Sequence, residues 1–305
     1  MKRRVLPILL LGSAALACSL FPPPRPSGES TPTVPTLPPP LPPLTVDQLR
    51  NAEYQLMATV NGIHVVRLQD GTYQKGSNPA AADYTSVTLA PQMAFGDLNG
   101  DGSPDAAVLL AENYGGTGVF VSVVVMINQD GQPVSWGASM LDDRPVINSL
   151  SIHDGEVLLD AIVHGPDDPG CCAAQPTTRT LRATDLGLVL TGLTTTTADG
   201  RARSITISSP ADGSEASGTV RVTGSVTIAP FENNLSYHIV DPAGGELAAG
   251  PIAVQAAVLG GPGTFDVVVG LSALPAGREI YLEIQDDSPA DGSLLAMASV
   301  ALNIR

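Results

Sequence analysis

The last hundred residues alternate between apolar and polar positions, with the period of two that half-buried β-strands show. The alternation is clearest in residues 219–228, 280–285 and 298–304. Turn-forming stretches such as residues 242–245 separate these segments. About seven short strands in about 100 residues are typical of an immunoglobulin-like β-sandwich. We therefore predict such a domain over residues 204–305.

Residues 45–195 are also dominated by strand patterns. Residues 119–127 are almost continuously β-branched or apolar, as expected of a strand that is buried on both faces. Two shorter strands, at residues 64–68 and 72–74, flank an Asp-Gly pair that favours a hairpin. A polar, turn-rich segment at residues 196–203 then predicts a linker between two domains.

A single short helix is predicted where the first domain begins. Thr45 and Gln48 have the spacing of a capping box, in which the side chain of each residue binds the main chain of the other. Leu49, Ala52 and Leu56 follow at helical spacing. The predicted fold class is therefore mainly β: a β-rich (α+β) domain with one short helix, followed by an immunoglobulin-like β-sandwich.

The first residues have the three parts of an export signal. Lys2, Arg3 and Arg4 form a positive region, residues 5–11 are an apolar run that is too short to span a bilayer, and small residues follow. We therefore predict a signal peptide over residues 1–17 and an extracytoplasmic protein.

Cys18 directly follows Ala15, Leu16 and Ala17, a sequence that resembles a lipobox, the motif that places a diacylglycerol on the cysteine. Leu16 stands one place later than in the usual pattern, and the same three residues also fit ordinary secretory cleavage. Such cleavage would leave an odd thiol on an exported chain that has three cysteines in all. We therefore predict a membrane-anchored lipoprotein with its lipid on Cys18; the alternative is a secreted protein.

Proline dominates the segment that follows the cysteine. Residues 20–44 contain eleven prolines, and proline cannot donate a hydrogen bond to a helix or a sheet. The tract is therefore expected to be an extended polyproline II stalk, which at about 3.1 Å per residue would reach roughly 75 Å. Residues 18–44 are thus predicted to be the anchor cysteine and its stalk.

The chain is acidic, with a formal net charge of −15 and only 15 Lys and Arg residues. It has no basic patch with interleaved aromatic residues, so nucleic-acid binding is excluded. No segment after the signal approaches the roughly 20 apolar residues that a membrane-spanning helix needs. The partners that we expect are a membrane, reached through the lipid, and an unknown envelope or surface protein.

The most specific motif is an Asp- and Asn-rich loop over residues 97–105. Its oxygen-bearing side chains stand at loop positions 1, 3, 5 and 9, with glycine at position 6, and this spacing curls a chain around one Ca²⁺ ion. Position 12 is Val108 rather than the Glu of an EF-hand, so a strand is expected after the loop. The alternative is a turn without an ion. The predicted Ca²⁺ ligands are Asp97, Asn99, Asp101, Ser103 through its carbonyl, and Asp105.

A second unusual run begins at His164 and ends with the adjacent Cys171 and Cys172. Adjacent Cα atoms are about 3.8 Å apart, which is below the usual range for a disulfide. Three interpretations stay open: a disulfide between these neighbours, a transition-metal site that includes His164 and an Asp, or a loop with two buried thiols.

The loop at residues 97–105, the turn at residues 128–131 and the run at residues 164–172 give the first domain a resemblance to known proteins. The loop at residues 97–105 is similar to those of dockerins and of the calcium-binding blades of integrin-type propellers. Together with the turn at residues 128–131 and the run at residues 164–172, it resembles a group of uncharacterised exported bacterial proteins. This resemblance covers about residues 45–190, and it implies a shared fold and no known activity.

Four segments of the second domain carry a resemblance to a known family: residues 205–210, 222–226, 231–235 and 291–293. In these segments the domain resembles the immunoglobulin-like domain of bacterial sporulation and spore-germination proteins. The resemblance covers almost all of residues 204–304, and it implies a non-catalytic envelope module without implying sporulation. Residues 232–234 are interpreted as a polar loop after a buried Phe231; the alternative is a contact with a partner.

Catalytic motifs are missing from the sequence. The four His residues stand far apart, and no G-x-S-x-G, H-E-x-x-H, P-loop or G-x-G-x-x-G motif is present. We therefore assign no catalytic residue and predict a non-enzymatic, surface-displayed interaction or structural module. The alternative is an extracytoplasmic hydrolase, or a sensor or inhibitor subunit, with its site in the first domain.

Overall fold

Strands make up most of the folded chain, as the alternation of apolar and polar positions predicts. The computed structural model describes residues 41–58, 62–166 and 168–305. The predicted signal peptide, Cys18 and most of the predicted stalk lie outside these residues. The described part contains one α-helix, α1 (Val46–Arg50), one 3-10 helix (Phe231–Asn233) and twenty strands. Neither of these helices is long and apolar enough to cross a membrane.

The helix α1 begins with the predicted capping box. The Gln48 N–H donates to Thr45 Oγ1 at 3.2 Å, and the Thr45 N–H donates to Gln48 Oε1 at 2.8 Å. The helix ends at Arg50, however, and Leu56 lies in the first strand rather than on the helix. Ala52, Tyr54 and Leu56 are all buried, so the apolar spacing that we interpreted as helical continues here with the period of a strand.

The first domain is built from eleven strands in three groups. β1 and β2 form a two-stranded hairpin, β3 to β7 form an antiparallel sheet in chain order, and β8 to β11 form a second antiparallel run. These strands are β1 (Glu53–Ala58), β2 (Gly62–Arg67), β3 (Thr72–Lys75), β4 (Thr85–Gly96), β5 (Asp105–Asn113), β6 (Phe120–Gln129), β7 (Gln132–Asp143), β8 (Val146–His153), β9 (Glu156–Val163), β10 (Gln175–Thr184) and β11 (Gly187–Thr196).

The sheet of β3 to β7 lies between two apolar cores. Val124 and Met126 of β6 pack with residues of α1, β1 and β2 on one face. Val123 and Val125 pack on the other face with residues of β9 and β10. The strand predicted to be buried on both faces is therefore confirmed.

The turn predicted at Asp70 forms, but the strands on its two sides do not pair as a hairpin. Asp70 and Gly71 have the positive φ values of 50° and 83° that a tight turn requires, and an isolated bridge joins Gln69 to Thr72. β2 pairs with β1 instead, while β3 pairs with β4. The predicted hairpin is wrong because the buried Leu68, just after β2, packs in the core with residues of α1 and β1. The Leu68 N–H also donates to the Ala52 carbonyl at 3.0 Å.

The second domain is an immunoglobulin-like β-sandwich, as predicted. β13, β15 and β18 pair in one sheet, β16, β19 and β20 pair in the other, and β17 pairs with β16 in its first part and with β18 in its last. The two sheets enclose one apolar core. The strands are β12 (Ala202–Arg203), β13 (Ile205–Ser209), β14 (Ser214–Ala216), β15 (Thr219–Val226), β16 (Asn234–Val240), β17 (Glu246–Ala256), β18 (Gly263–Gly270), β19 (Glu279–Asp287) and β20 (Leu294–Ile304).

A short strand pairing connects the two domains. β11 of the first domain pairs with β20 of the second through Gly192 with Ala298 and Leu193 with Met297. The segment predicted to be a linker, residues 196–203, turns back so that β12 pairs with the end of β11. An edge of the sandwich is therefore covered by the first domain, and the sheet runs on from one domain to the other.

Candidate functional site

The Asp-rich loop joins β4 to β5, and its first carboxylate organises the turn. Asp97 Oδ1 accepts the Gly100 N–H at 2.7 Å, and Asp97 Oδ2 accepts the Gly102 N–H at 2.8 Å. Gly100 and Gly102 have φ values of 78° and 83°, which residues with a Cβ rarely adopt. The two glycines therefore let the chain curl around the carboxylate of Asp97.

Asn99 and Asp101 close the same turn from the solvent side. Asn99 Oδ1 accepts the Asp101 N–H at 3.0 Å, and Asp101 Oδ1 accepts the Ser103 N–H at 2.7 Å. This main-chain hydrogen bond, together with one from the Asn99 amide, lowers the pKa of Asp101. Asp97, Asn99 and Asp101 are thus brought together at the head of the loop, with Asp101 held in its charged form.

Ser103 and Asp105 lie deeper than the other predicted ligands. Ser103 is buried, and its Oγ accepts the Leu41 N–H at 3.2 Å. Asp105 is fully buried, with Oδ2 accepting the Leu98 N–H and Oδ1 accepting the Asn128 N–H, both at 2.8 Å. Burial raises the pKa of Asp105. These two residues fasten the loop to its neighbours.

The donor atoms of the loop have the chemistry that Ca²⁺ prefers, since all of them are hard oxygens. A carboxylate has about four acceptor positions, so the hydrogen bonds of Asp97, Asp101 and Asp105 leave lone pairs for an ion. In the part of the chain that the structure describes, no group of three His, Cys, Asp or Glu side chains is already arranged to hold a metal. The Ca²⁺ site therefore stays a prediction.

The sulfur atoms of Cys171 and Cys172 are at bonding distance, with the two Cα atoms 3.8 Å apart. Both residues are exposed, so the interpretation as two buried thiols is wrong. Asp168 holds the loop before them, since its Oδ2 accepts the N–H groups of Gly165 and Ala174 at 2.8 Å each. Asp167 lies outside the described residues.

The ring of His164 is paired with a carboxylate on β7. His164 Nδ1 lies 2.9 Å from Asp142 Oδ2, and both side chains are about four-fifths buried. His164 Nε2 is buried and has no hydrogen-bond partner among the described residues. Within that part of the chain, the predicted transition-metal site of His164, an Asp and the two sulfurs is not assembled.

Phe231 is not buried, which corrects our interpretation of the loop that follows it. Its side chain is 63% exposed. The next two residues, Glu232 and Asn233, have φ values of 56° and 55°, a left-handed conformation that Asn tolerates and Glu rarely adopts. This turn points the aromatic ring outward rather than into the sandwich.

A buried acid in the first domain was missed at the sequence level. Glu112 is 2% exposed, and it accepts a hydrogen bond from Tyr114. Burial raises its pKa, while hydrogen bonds from Ser122 and Tyr114 and the charge of His64 oppose the rise. The residues before it in β5, from Ala106 to Leu110, are continuously apolar and buried, so the sequence has no alternation that marks Glu112 as buried.

A comparison with known protein families finds one match. Residues 204–293 match the family described as the immunoglobulin-like domain of bacterial spore germination. No curated protein matches the chain. The family match covers less than a third of the chain and lies wholly within the sandwich. It confirms the expected resemblance of the second domain to this non-catalytic type of module.

Proposed function

We propose that this protein is a non-catalytic cell-envelope lipoprotein that displays its folded part on a stalk as an interaction or structural module. The observation that carries the proposal is the match of residues 204–293 to an immunoglobulin-like domain of spore germination. Such a domain is a binding or spacing element rather than a catalyst. The signal peptide predicted over residues 1–17 and the lipid predicted on Cys18 support a position outside the cytoplasm and on a membrane.

Leu41, Pro42 and Leu44, which the sequence assigns to the stalk, contact the first domain, so the proposed stalk ends before Leu41. The Leu41 N–H donates to Ser103 Oγ at 3.2 Å, and the Pro42 carbonyl accepts from Asn128 Nδ2 at 2.9 Å. The chain therefore enters the first domain beside the Asp-rich loop. A Ca²⁺ ion bound by Asp97, Asn99, Asp101, Ser103 and Asp105 would stiffen the place where a pull on the stalk reaches the domain.

The junction between the domains supports a module that presents one rigid surface. Arg182 of β10 lies 2.8 Å from Glu156 Oε1 and 3.0 Å from Asp212 Oδ2, so it joins the two domains. Thr195 Oγ1 also donates to the Leu295 carbonyl at 2.7 Å. Together with the β11–β20 pairing, these contacts limit independent movement of the sandwich, which suits a spacer or a docking platform.

Cell fractionation tests the proposal. We expect the wild-type protein to enter the detergent phase of a membrane extract and to be cut by protease added to intact cells. The matched variant Cys18→Ser replaces only the sulfur atom that would carry the lipid, so the variant should lose the lipid and no longer enter the detergent phase. A wild-type protein that stays in the aqueous phase, or that is protected from protease on intact cells, would contradict the proposal.

A further inference from the structure

A small cavity lies where the second run of strands in the first domain meets the start of β20. Its volume is about 220 Å³, which is below the usual size of a drug-binding pocket. Residues of β9, β10 and β11 form one wall, and Ser293, Leu294 and Leu295 form the other. His164 and Gly165 begin the loop that closes it. The run from His164 to the two cysteines, which has no role in the proposed function, therefore contributes to this cavity.

Arg179 brings a cation into the cavity. It stands on β10 opposite Leu193, on the same face as the buried Thr177 and Leu181. Its Nε is buried without a hydrogen-bond partner. Burial lowers the pKa of Arg179, while the charge of Asp142 opposes that change. A guanidinium stays charged in a protein and offers five donors, so leaving the buried Nε–H without an acceptor is unfavourable.

His164 adds a second unpartnered group to the same cavity. Its Nδ1 is occupied by Asp142 at 2.9 Å, which orients the ring and leaves Nε2 as the free atom. Nε2 can donate when the imidazole is protonated and can accept when it is neutral. The nearby Asp142 already serves His164, and it makes no ion pair with Arg179. The cavity therefore holds one hydrogen-bond donor, the Arg179 Nε–H, that no described residue satisfies, and His164 Nε2 becomes a second donor only when the ring carries both protons.

We infer that this cavity binds a small oxyanion, the carboxylate or phosphate group of a compact molecule, with Arg179 as its counter-ion. His164 Nε2 can donate to the anion only when the ring carries both protons. A guanidinium pairs well with both carboxylate and phosphate oxygens. The ligand must be small, because 220 Å³ is the liquid volume of only about seven water molecules, at roughly 30 Å³ each. Since one wall comes from each domain, the bound anion would also strengthen the domain junction.

The test uses the full mature chain and three probes: acetate, succinate and inorganic phosphate. Each is titrated at constant ionic strength against chloride, and binding is followed by thermal shift and by the NMR signal of the Arg179 Nε–H. We expect at least one probe to shift this signal saturably and to raise the melting temperature. A response to acetate and succinate would identify a carboxylate ligand, and a response to phosphate alone would identify a phosphate ligand.

Matched variants locate the binding. Arg179→Met should weaken binding about tenfold to a hundredfold, the range expected for one lost charged hydrogen bond, and His164→Gln should weaken it less. Arg67→Met is the control, because Arg67 is an exposed arginine of the same domain. This variant should bind each probe with the affinity of the wild type. If Arg179→Met does not fold, the affinity of Arg179→Lys and the saturable shift of the wild-type Arg179 Nε–H signal locate the binding instead. Equal shifts in chloride, or unchanged affinity in the Arg179 variant, would overturn the inference and leave water as the occupant.

Discussion

Asp105 Oδ1 accepts the main-chain N–H of Asn128 at 2.8 Å, although the two residues are 23 positions apart. Asn128 in turn donates from Nδ2 to the Pro42 and Pro104 carbonyls, at 2.9 and 3.1 Å. The Asp-rich loop, the turn between β6 and β7, and the chain entering the domain are thus one hydrogen-bonded unit. An ion bound in the loop would stabilise all three segments together.

We predict that Ca²⁺ raises the melting temperature of the first domain. The carboxylates of Asp97, Asp101 and Asp105 repel one another without a cation, and an ion that binds only the folded state stabilises it by about 2.7 kcal/mol at a hundredfold excess over Kd. Mg²⁺ should have a smaller effect, because it requires a tighter octahedral shell. Calorimetry in EGTA and in Ca²⁺ measures the difference.

Two variants show whether that effect belongs to the loop. Asp101→Ala removes a proposed ligand and should abolish the Ca²⁺-dependent shift. Asp130→Asn removes one charge from the Asp-Gly turn between β6 and β7, keeps a residue that tolerates the φ of 52°, and should preserve the shift. Identical melting of the wild type in EGTA and in Ca²⁺ would mean that the loop is a turn without an ion.

Gly224 is predicted to be essential for the sandwich. A Cβ at this position would overlap the Thr206 carbonyl and approach Phe265 Cε1 to 2.8 Å, because β15 is paired closely on both sides. Gly224→Ala should therefore destabilise the second domain by about 1–3 kcal/mol, which is a fall of several degrees in melting temperature. Gly270→Ala is the control, since nothing lies near its added Cβ; equal effects of the two substitutions would contradict this explanation.

The sequence predicts the parts of this fold that depend on local periodicity. The uninterrupted apolar run of β6 predicts burial on both faces, and Thr45 with Gln48 predicts the start of α1. The pairing of β2 could not be predicted in the same way. The Asp70-Gly71 turn has the same sequence whether the strands on its two sides pair with each other or with strands of different sheets. The strand with which another strand pairs depends on which core buries its apolar side chains.

The candidate sites show the same limit. The spacing of Asp97, Asn99 and Asp101 predicts that they share one turn, since all three lie within five residues. Arg179 stands in a strand that reads as an ordinary amphipathic segment, and only the folded chain brings it to the cavity that His164 closes. Phe231 was assigned to the core because of its type, whereas the left-handed turn after it directs the ring outward.

Glu112 is predicted to make stability depend on pH. Its pKa in the folded state is raised above the ordinary value of 4.5 by burial, so the folded protein binds a proton more tightly than the unfolded chain does. Stability should therefore fall as the pH rises from about 4.5 through the raised pKa, and the loss persists at higher pH. Glu112→Gln should remove this dependence, because Gln stays neutral and still accepts from Tyr114.

The comparison for Glu112 is a set of melting curves from acid to neutral pH. We expect Glu112→Gln to be more stable than the wild type at neutral pH and similar to it in acid. Glu53→Gln is the control, because Glu53 is exposed on β1. The melting temperature of this variant should change with pH as that of the wild type does. A Gln variant that is equally destabilised at every pH would show that the charge of Glu112 is not the cause.

Cys171 and Cys172 are predicted to form a disulfide in the purified protein. The intact mass of the mature chain should be about 2 Da lower than the mass of the reduced chain, since the bond removes two hydrogen atoms. Iodoacetamide should modify neither residue until a reductant is added. Rapid alkylation of both residues in native protein purified without reductant would contradict the disulfide, because both side chains are exposed.

The most direct measurement follows a labelled fatty acid onto Cys18. Cells that express the wild-type protein or Cys18→Ser are grown with labelled palmitate, and the N-terminal peptide of each protein is then analysed by mass spectrometry. A membrane lipoprotein predicts label on the wild type, a mature chain that begins at a lipid-modified Cys18, and no label on Cys18→Ser. An unlabelled wild-type chain that begins at an unmodified Cys18 would contradict the lipid anchor and leave a secreted protein.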